Sequence, residues 1–260
     1  MDELLPLKFS HLFDGLIWTT IASPDGKFLL VEVRNVERKE VSFSALRLSD
    51  DSFLWRDRKL EEPWWINATA ICSGFLLFTI YLDTNNPDKK GVLSYRLDDL
   101  SLVWWNNDFS VSEVGASFVS GFSSKTGIKP LTLDINTGKE IPPMPKYDEP
   151  DHHITRPVQY VDGMDYFATV KKYLADRLNL FCVSALEYLQ ASDKIVMSYY
   201  VEEQDGLANY LLVLDSAGDV LMKTKMDERL KGIGLDTFFI LDGLLIFVKN
   251  KVELVSYKIL

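Results

Sequence analysis

The stretch Leu46–Trp55, LRLSDDSFLW, returns at Tyr95–Trp104 as YRLDDLSLVW. Its Arg, Leu, Asp, Ser and Trp positions stay in step across an interval of 49 residues. Self-similarity at such a period is the mark of a repeat architecture, in which each unit covers the apolar face of its neighbour. Further copies lie outward from this pair. Leu93–Asp98, LSYRLD, is echoed by Val255–Leu260, VSYKIL, and Gly74–Ile80, GFLLFTI, by Gly243–Lys249, GLLIFVK. Looser versions occupy 132–141, TLDINTGKEI, and 213–222, VLDSAGDVLM.

These units have one physical sense. LSYRL and VSYKI alternate apolar and polar residues with period two, as a half-buried strand requires. FLLVEV, FLLFTI and LLIFV read as deeply buried strands rich in β-branched and aromatic residues. Ser23-Pro24-Asp25-Gly26, Asn136-Thr137-Gly138 and Ser216-Ala217-Gly218-Asp219 are turn formers between strands. The pattern predicts units at about 14–56, 64–106, 112–142, 183–225 and 231–260. The last holds three strands, and Leu4–Phe9, LLPLKF, is the expected missing partner. Pairing these ends would remove exposed strand edges.

The run Ser23–Val33, SPDGKFLLVEV, resembles the turn-and-strand element of TolB-like and WD-type β-propellers. LTLDINTGKEI, residues 131–141, resembles the repeat of quinoprotein-like propellers, with Asp134, Thr137 and Gly138 on the motif positions. Pro142 stands where that motif carries tryptophan, and the units with Trp55 and Trp104 lack the Thr-Gly pair. The resemblance implies an all-β fold: a single β-propeller domain over residues 1–260. About five blades are expected, with N- and C-terminal strands closing one of them. The layout is also similar to an uncharacterised family of Bacteroidetes bacteria, which implies a bacterial protein.

Residues 143–180 interrupt the repeats. PMPKYDEPDHHITRPVQYVDG is irregular, and MDYFATVKKYLADRLN predicts a helix over about 164–179. Phe167, Val170, Leu174 and Leu178 form its apolar stripe. Asp165 is the expected cap and Asn179 the expected end. If residues 154–180 contribute strands, six blades is the alternative.

Composition bounds the function. The 260 residues are 47% hydrophobic and 25% charged, an ordinary globular balance. Asp and Glu number 38 against 28 Lys and Arg, a formal charge of −10, and no basic cluster occurs, so nucleic acid is not an expected partner. No apolar run reaches the length of a membrane span, and none is expected to insert. The opening residues lack the basic and apolar regions of a signal peptide, and Cys72 and Cys182 read as buried thiols. Both points lead to an expected cytoplasmic location.

Two groups stand out for chemistry. Trp64-Trp65 offers a stacking platform for a sugar or a peptide aromatic. Placed in a strand, the two would face opposite ways, leaving one for a ligand. Trp55 and Trp104, at equivalent repeat positions, are expected to pack between units. Asp151, His152 and His153, with Asp148 and Glu149 before them and Arg156 after, form the densest polar cluster. Adjacent histidines in extended chain diverge, so no metal is expected; a solvated loop is the main reading, and ligand contact is the functional alternative. No GxSxG, Walker A, GxGxxG or CxxC pattern occurs. The expected function is a non-catalytic module that binds a protein or small molecule without cofactor. The alternative is a small-molecule enzyme or sensor with a pocket at the propeller axis.

Overall fold

Period-two alternation and closely spaced turns build short antiparallel meanders. A computed structural model describes residues 4–123, 128–144 and 154–260. Strand β1 (Leu7–Leu12) comes first. Next is a four-stranded sheet of β2 (Leu16–Ala22), β3 (Phe28–Asn35), β4 (Glu40–Arg47) and β5 (Ser52–Arg58). A second holds β6 (Ile66–Cys72), β7 (Phe75–Tyr81), β8 (Lys90–Arg96) and β9 (Leu102–Asn106). The third has β10 (Phe109–Val114), β11 (Phe118–Ser123) and β12 (Lys129–Asp134). These three sheets belong to one compact unit, Asp14–Asp151.

The other unit joins Met1–Phe13 to His152–Leu260. It contains β13 (Ile154–Thr155), β14 (Val158–Val161) and helix α1 (Asp165–Leu178). There follow β15 (Val183–Ala191), β16 (Lys194–Glu203), β17 (Gly206–Asp215) and β18 (Val220–Leu230). The chain ends on β19 (Phe238–Leu241), β20 (Leu244–Lys249) and β21 (Glu253–Lys258). One five-stranded sheet runs β14 to β18 in order, and the other runs β1-β21-β20-β19-β13. The expected pairing of the N-terminal strand with the last one is present, with Ser10 opposite Val255 and Leu12 opposite Glu253. β13 and β14, from the interrupting segment, extend these two sheets at their edges instead of starting a sixth.

The fold is propeller-like and multi-bladed, but the expected closed β-propeller is not what forms. Among the described residues there are five separate antiparallel sheets, none closed on itself or strongly curled. Helix α1 gives a local reason. One face of the β14–β18 sheet, through Leu189, Val196, Leu211, Val213 and Met222, packs on the apolar face of the β19–β21 sheet. Its other face, through Leu186, Met197, Tyr199, Leu212 and Leu214, is covered by Phe167 and Leu174 of α1. A blade inside a ring of repeats has a sheet on each side; here a helix takes one of those places.

The helix follows its apolar stripe, with Phe167 and Leu174 buried and Val170 and Leu178 packed beside them. The N-cap is Met164, which makes no side-chain capping bond, and Asp165 lies inside the first turn, so it is not the cap. Its carboxylate there complements the helix dipole. Asn179 ends the helix in the left-handed region, its N–H donating to the Ala175 carbonyl and the Leu180 N–H to that of Leu174.

The repeat also explains an oddity of the core. Ser94 and Ser256, equivalent in LSYRL and VSYKI, are fully buried, and neither hydroxyl has a protein partner. The corresponding residue of the first sheet is Ala45, also fully buried. Removing a buried hydroxyl that makes no bond is close to neutral or favourable. Ser94→Ala and Ser256→Ala are therefore expected to keep or raise stability, within about 1 kcal/mol. A urea titration showing a loss above about 2 kcal/mol would mean that these hydroxyls are bonded.

Candidate functional site

Trp64 and Trp65 precede β6 in a bend and are not part of a strand. Strand alternation therefore does not separate them. Pro63 interrupts the chain, and the Glu62 carboxylate accepts the N–H groups of both Trp64 (3.0 Å) and Trp65 (2.8 Å). The bend brings both indoles to one cleft of about 490 Å³ within the Asp14–Asp151 unit, and Trp18, Arg34, Asn67 and Asp83 also line it. Trp18 is 62% exposed and Trp65 44%, so both present open aromatic surface.

The floor of this cleft is a buried ion pair. Glu32 lies in FLLVEV, where β3 is buried on both faces, and is itself fully buried. One carboxylate oxygen accepts the Arg34 Nε–H at 2.7 Å and the other the Ala68 N–H at 2.8 Å. Arg34 also donates to the carbonyls of Ile66 (2.8 Å) and Trp64 (3.3 Å). Its guanidinium lies over both the Trp18 and the Trp64 ring, 5.2 Å from each ring centre. Burial pushes the Glu32 carboxyl above the usual carboxylate range, against the opposing pull of Ala68 N–H and Arg34. Bonds from Glu32 and Arg34 to the 64–68 segment thus fasten the first sheet to the start of the second.

A second buried carboxylate does similar work in the other unit. Glu187 accepts the N–H groups of Asp236 (2.6 Å) and Thr237 (2.9 Å) and the Thr237 hydroxyl. These donors lie just before β19, so Glu187 ties β15 to the sheet that follows. Burial raises its carboxyl too.

The other expected site residues fall elsewhere. Arg156 belongs to the unit that holds β13 and contacts Asp236 at 3.4 Å and the face of Phe239. Asp151, His152 and His153, with Asp148 and Glu149, lie outside the described residues. Among the described residues no group of three or more His, Cys, Asp or Glu side chains is placed to hold a metal, and no helix is long and apolar enough to cross a membrane. Trp55 and Trp104 are packed as expected. Each is 7% exposed, and each indole N–H donates at 2.8 Å to a carbonyl of the following sheet's chain, Leu97 and Ile135 respectively.

Sequence reasoning missed Trp18, Glu32 and Arg34. A glutamate inside an uninterrupted apolar strand was the available signal, because a buried carboxylate needs a cation or several N–H groups.

Residues 22–104 match the model of a domain of unknown function (DUF4905). That is less than half of the chain, and it establishes neither membership nor the Bacteroidetes family expected above. No curated protein matches. Solved structures match at low identity. BamB from Moraxella catarrhalis is 10% identical over 92% of this chain and 84% of that one, with a TM-score of 0.37. A putative TolB from Agrobacterium tumefaciens is 10% identical over 95% and 76%, with a TM-score of 0.34. The β-propeller domain of the Trilobed protease from Pyrococcus furiosus, described as having an open velcro topology, is 11% identical over 92% and 64%, with a TM-score of 0.33. Likeness at this level singles out no ligand and no role.

The cytoplasmic location is corrected. The likenesses found, BamB and a putative TolB among them, lend it no support. The cysteines gave it no real support either. Both are buried, and burial raises the Cys182 thiol to about 11, so such a thiol stays unreactive in any compartment. What the chain's own sheets establish is a propeller-like, multi-bladed all-β protein, similar at low identity to these structures.

Proposed function

We propose that the chain is a non-catalytic binding module whose ligand site is the cleft of Trp18, Trp64 and Trp65. The observation that carries this reading is the fixing of an open aromatic surface before any ligand arrives. Glu62 holds the Trp64–Trp65 bend through two N–H bonds, and Arg34 holds Trp18 and Trp64 through a shared guanidinium. Indoles fixed in advance lose little conformational entropy on binding. The charged pair beneath them supports a structural role over a catalytic one. The Glu32 oxygens already accept from Arg34 and Ala68, which leaves the carboxylate poorly placed to take a proton from a substrate.

Of the residues singled out in the sequence, Trp64 and Trp65 enter this site; Arg156 is engaged with its own neighbours. The test is ligand-observed NMR with mixed small molecules and short peptides on the full chain. Ligands that bind are expected to weaken ~10-fold in Trp65→Ala, the loss of one stacking contact. Trp105→Ala, which removes another exposed tryptophan, is expected to leave them unchanged. Ligands indifferent to Trp65→Ala, or converted to product by the wild type, would overturn the reading.

A further inference from the structure

The contents of the cleft restrict what it accepts. An anion finds no free cation among the described lining residues. Arg34 is the one cationic residue among them, and that guanidinium is bonded to Glu32 and two carbonyls and lies over two indole rings. A cationic ligand fares little better. Lys90 Nζ already lies over the Tyr81 ring at 5.5 Å, and Lys89 is paired with Asp83 at 3.1 Å. Trp18 already faces one cation, so a second on its outer side meets like charge across the ring. Exposed indole of Trp18 and Trp65 remains, bordered by the Asn67 amide and the Thr19 and Thr84 hydroxyls. Flat apolar surface beside uncharged hydrogen-bonding groups suits a ligand with an apolar C–H face and a rim of hydroxyls.

We infer that the cleft binds a neutral saccharide, one sugar ring lying against exposed indole and its hydroxyls reaching Asn67, Thr19 or Thr84. This rests on the binding-module reading above and names the ligand class for that site. Acidic sugars are disfavoured by Asp83 and by the lack of a free cation among the described lining residues.

The experiment compares three sets of probes on the full chain: neutral oligosaccharides (cello-, manno- and xylo-oligosaccharides), oligogalacturonates, and peptides rich in Phe, Trp or Lys. Binding is read by intrinsic tryptophan fluorescence and titration calorimetry. At least one neutral oligosaccharide is expected to bind, with Kd raised ~10-fold by Trp65→Ala. Trp65→Phe, which keeps an aromatic face, is expected to recover most of the affinity. Trp65 is partly exposed, and melting curves of the variants separate lost binding from lost folding. Peptides or acidic sugars binding in a Trp65-dependent way while neutral sugars do not would overturn the saccharide and leave the cleft standing. Neutral sugars that bind independently of Trp65 would overturn this site for them. No binding by any set would overturn both readings.

Discussion

Trp104→Ala is expected to lower the melting temperature by about 10 °C. Emptying a core tryptophan site costs about 3–5 kcal/mol, and in a protein of this size each kcal/mol moves the midpoint by about 2–4 °C. Trp104 sits on β9 with Leu77, Val92, Phe109, Val119, Leu133 and Ile135 in one buried cluster that joins two sheets. Its loss opens that cluster and strips the Ile135 carbonyl of its N–H donor. The turn that follows β12 is shaped around it. Gly138 has a φ of +65°, and a Cβ there would come within 2.6 Å of the indole. Trp104→Phe restores much of the buried area but not the N–H, so it is expected to recover more than half of the loss. Scanning calorimetry of the two variants decides the matter. A fall under about 2 °C for Trp104→Ala would show that the inter-sheet cluster does not depend on this residue.

Glu32→Ala is the second large effect. It leaves the Arg34 guanidinium against two indoles without its counter-ion, and breaking one side of a buried pair costs about 3–5 kcal/mol. The companion Arg34→Met/Glu32→Leu double variant removes both charges and is expected to be much closer to wild type than either single change. The pH dependence carries a definite sign. Burial raises the Glu32 carboxyl above its ordinary value of 4.5, so the folded chain binds that proton more tightly than the unfolded one. Relative to Glu32→Gln, which does not titrate, wild type is then most favoured below 4.5 and loses ground as the pH climbs through the raised value. Equilibrium unfolding of the two chains across that interval measures the difference. A gap that instead widens with rising pH would mean that Arg34 outweighs burial.

Much of the architecture was legible because burial repeats along the chain. The copies of LSYRL and of the terminal tryptophan marked third and fourth strands, and the short last unit pointed to β1. The amphipathic stripe of 167–178 gave α1. What that stripe did not reveal was the surface it covers, and the closed ring failed on that point, since helix and sheet present similar apolar faces to a neighbour. The site was half legible. Trp64-Trp65 could be seen, but their common orientation depends on a bend fixed by Glu62, and alternation holds only inside a strand. Trp18 and Arg34 come from adjacent strands and meet Trp64 across a sheet boundary, an adjacency that no spacing in the sequence encodes.

The pairing of β1 with β21 sets an order of events during synthesis. Translation delivers the N-terminal residues first. β1 then waits, its edge open, until some 240 residues later its partner leaves the ribosome. The Asp14–Asp151 unit is continuous in sequence, so all of its strands emerge before β21 does. The other unit is built from both ends of the chain and finishes last, after paying the closure entropy of a very long loop. Its slowest step is accordingly the capture of the six residues of β1, and a chain stalled before β21 holds the tryptophan cleft of the Asp14–Asp151 unit without that pairing.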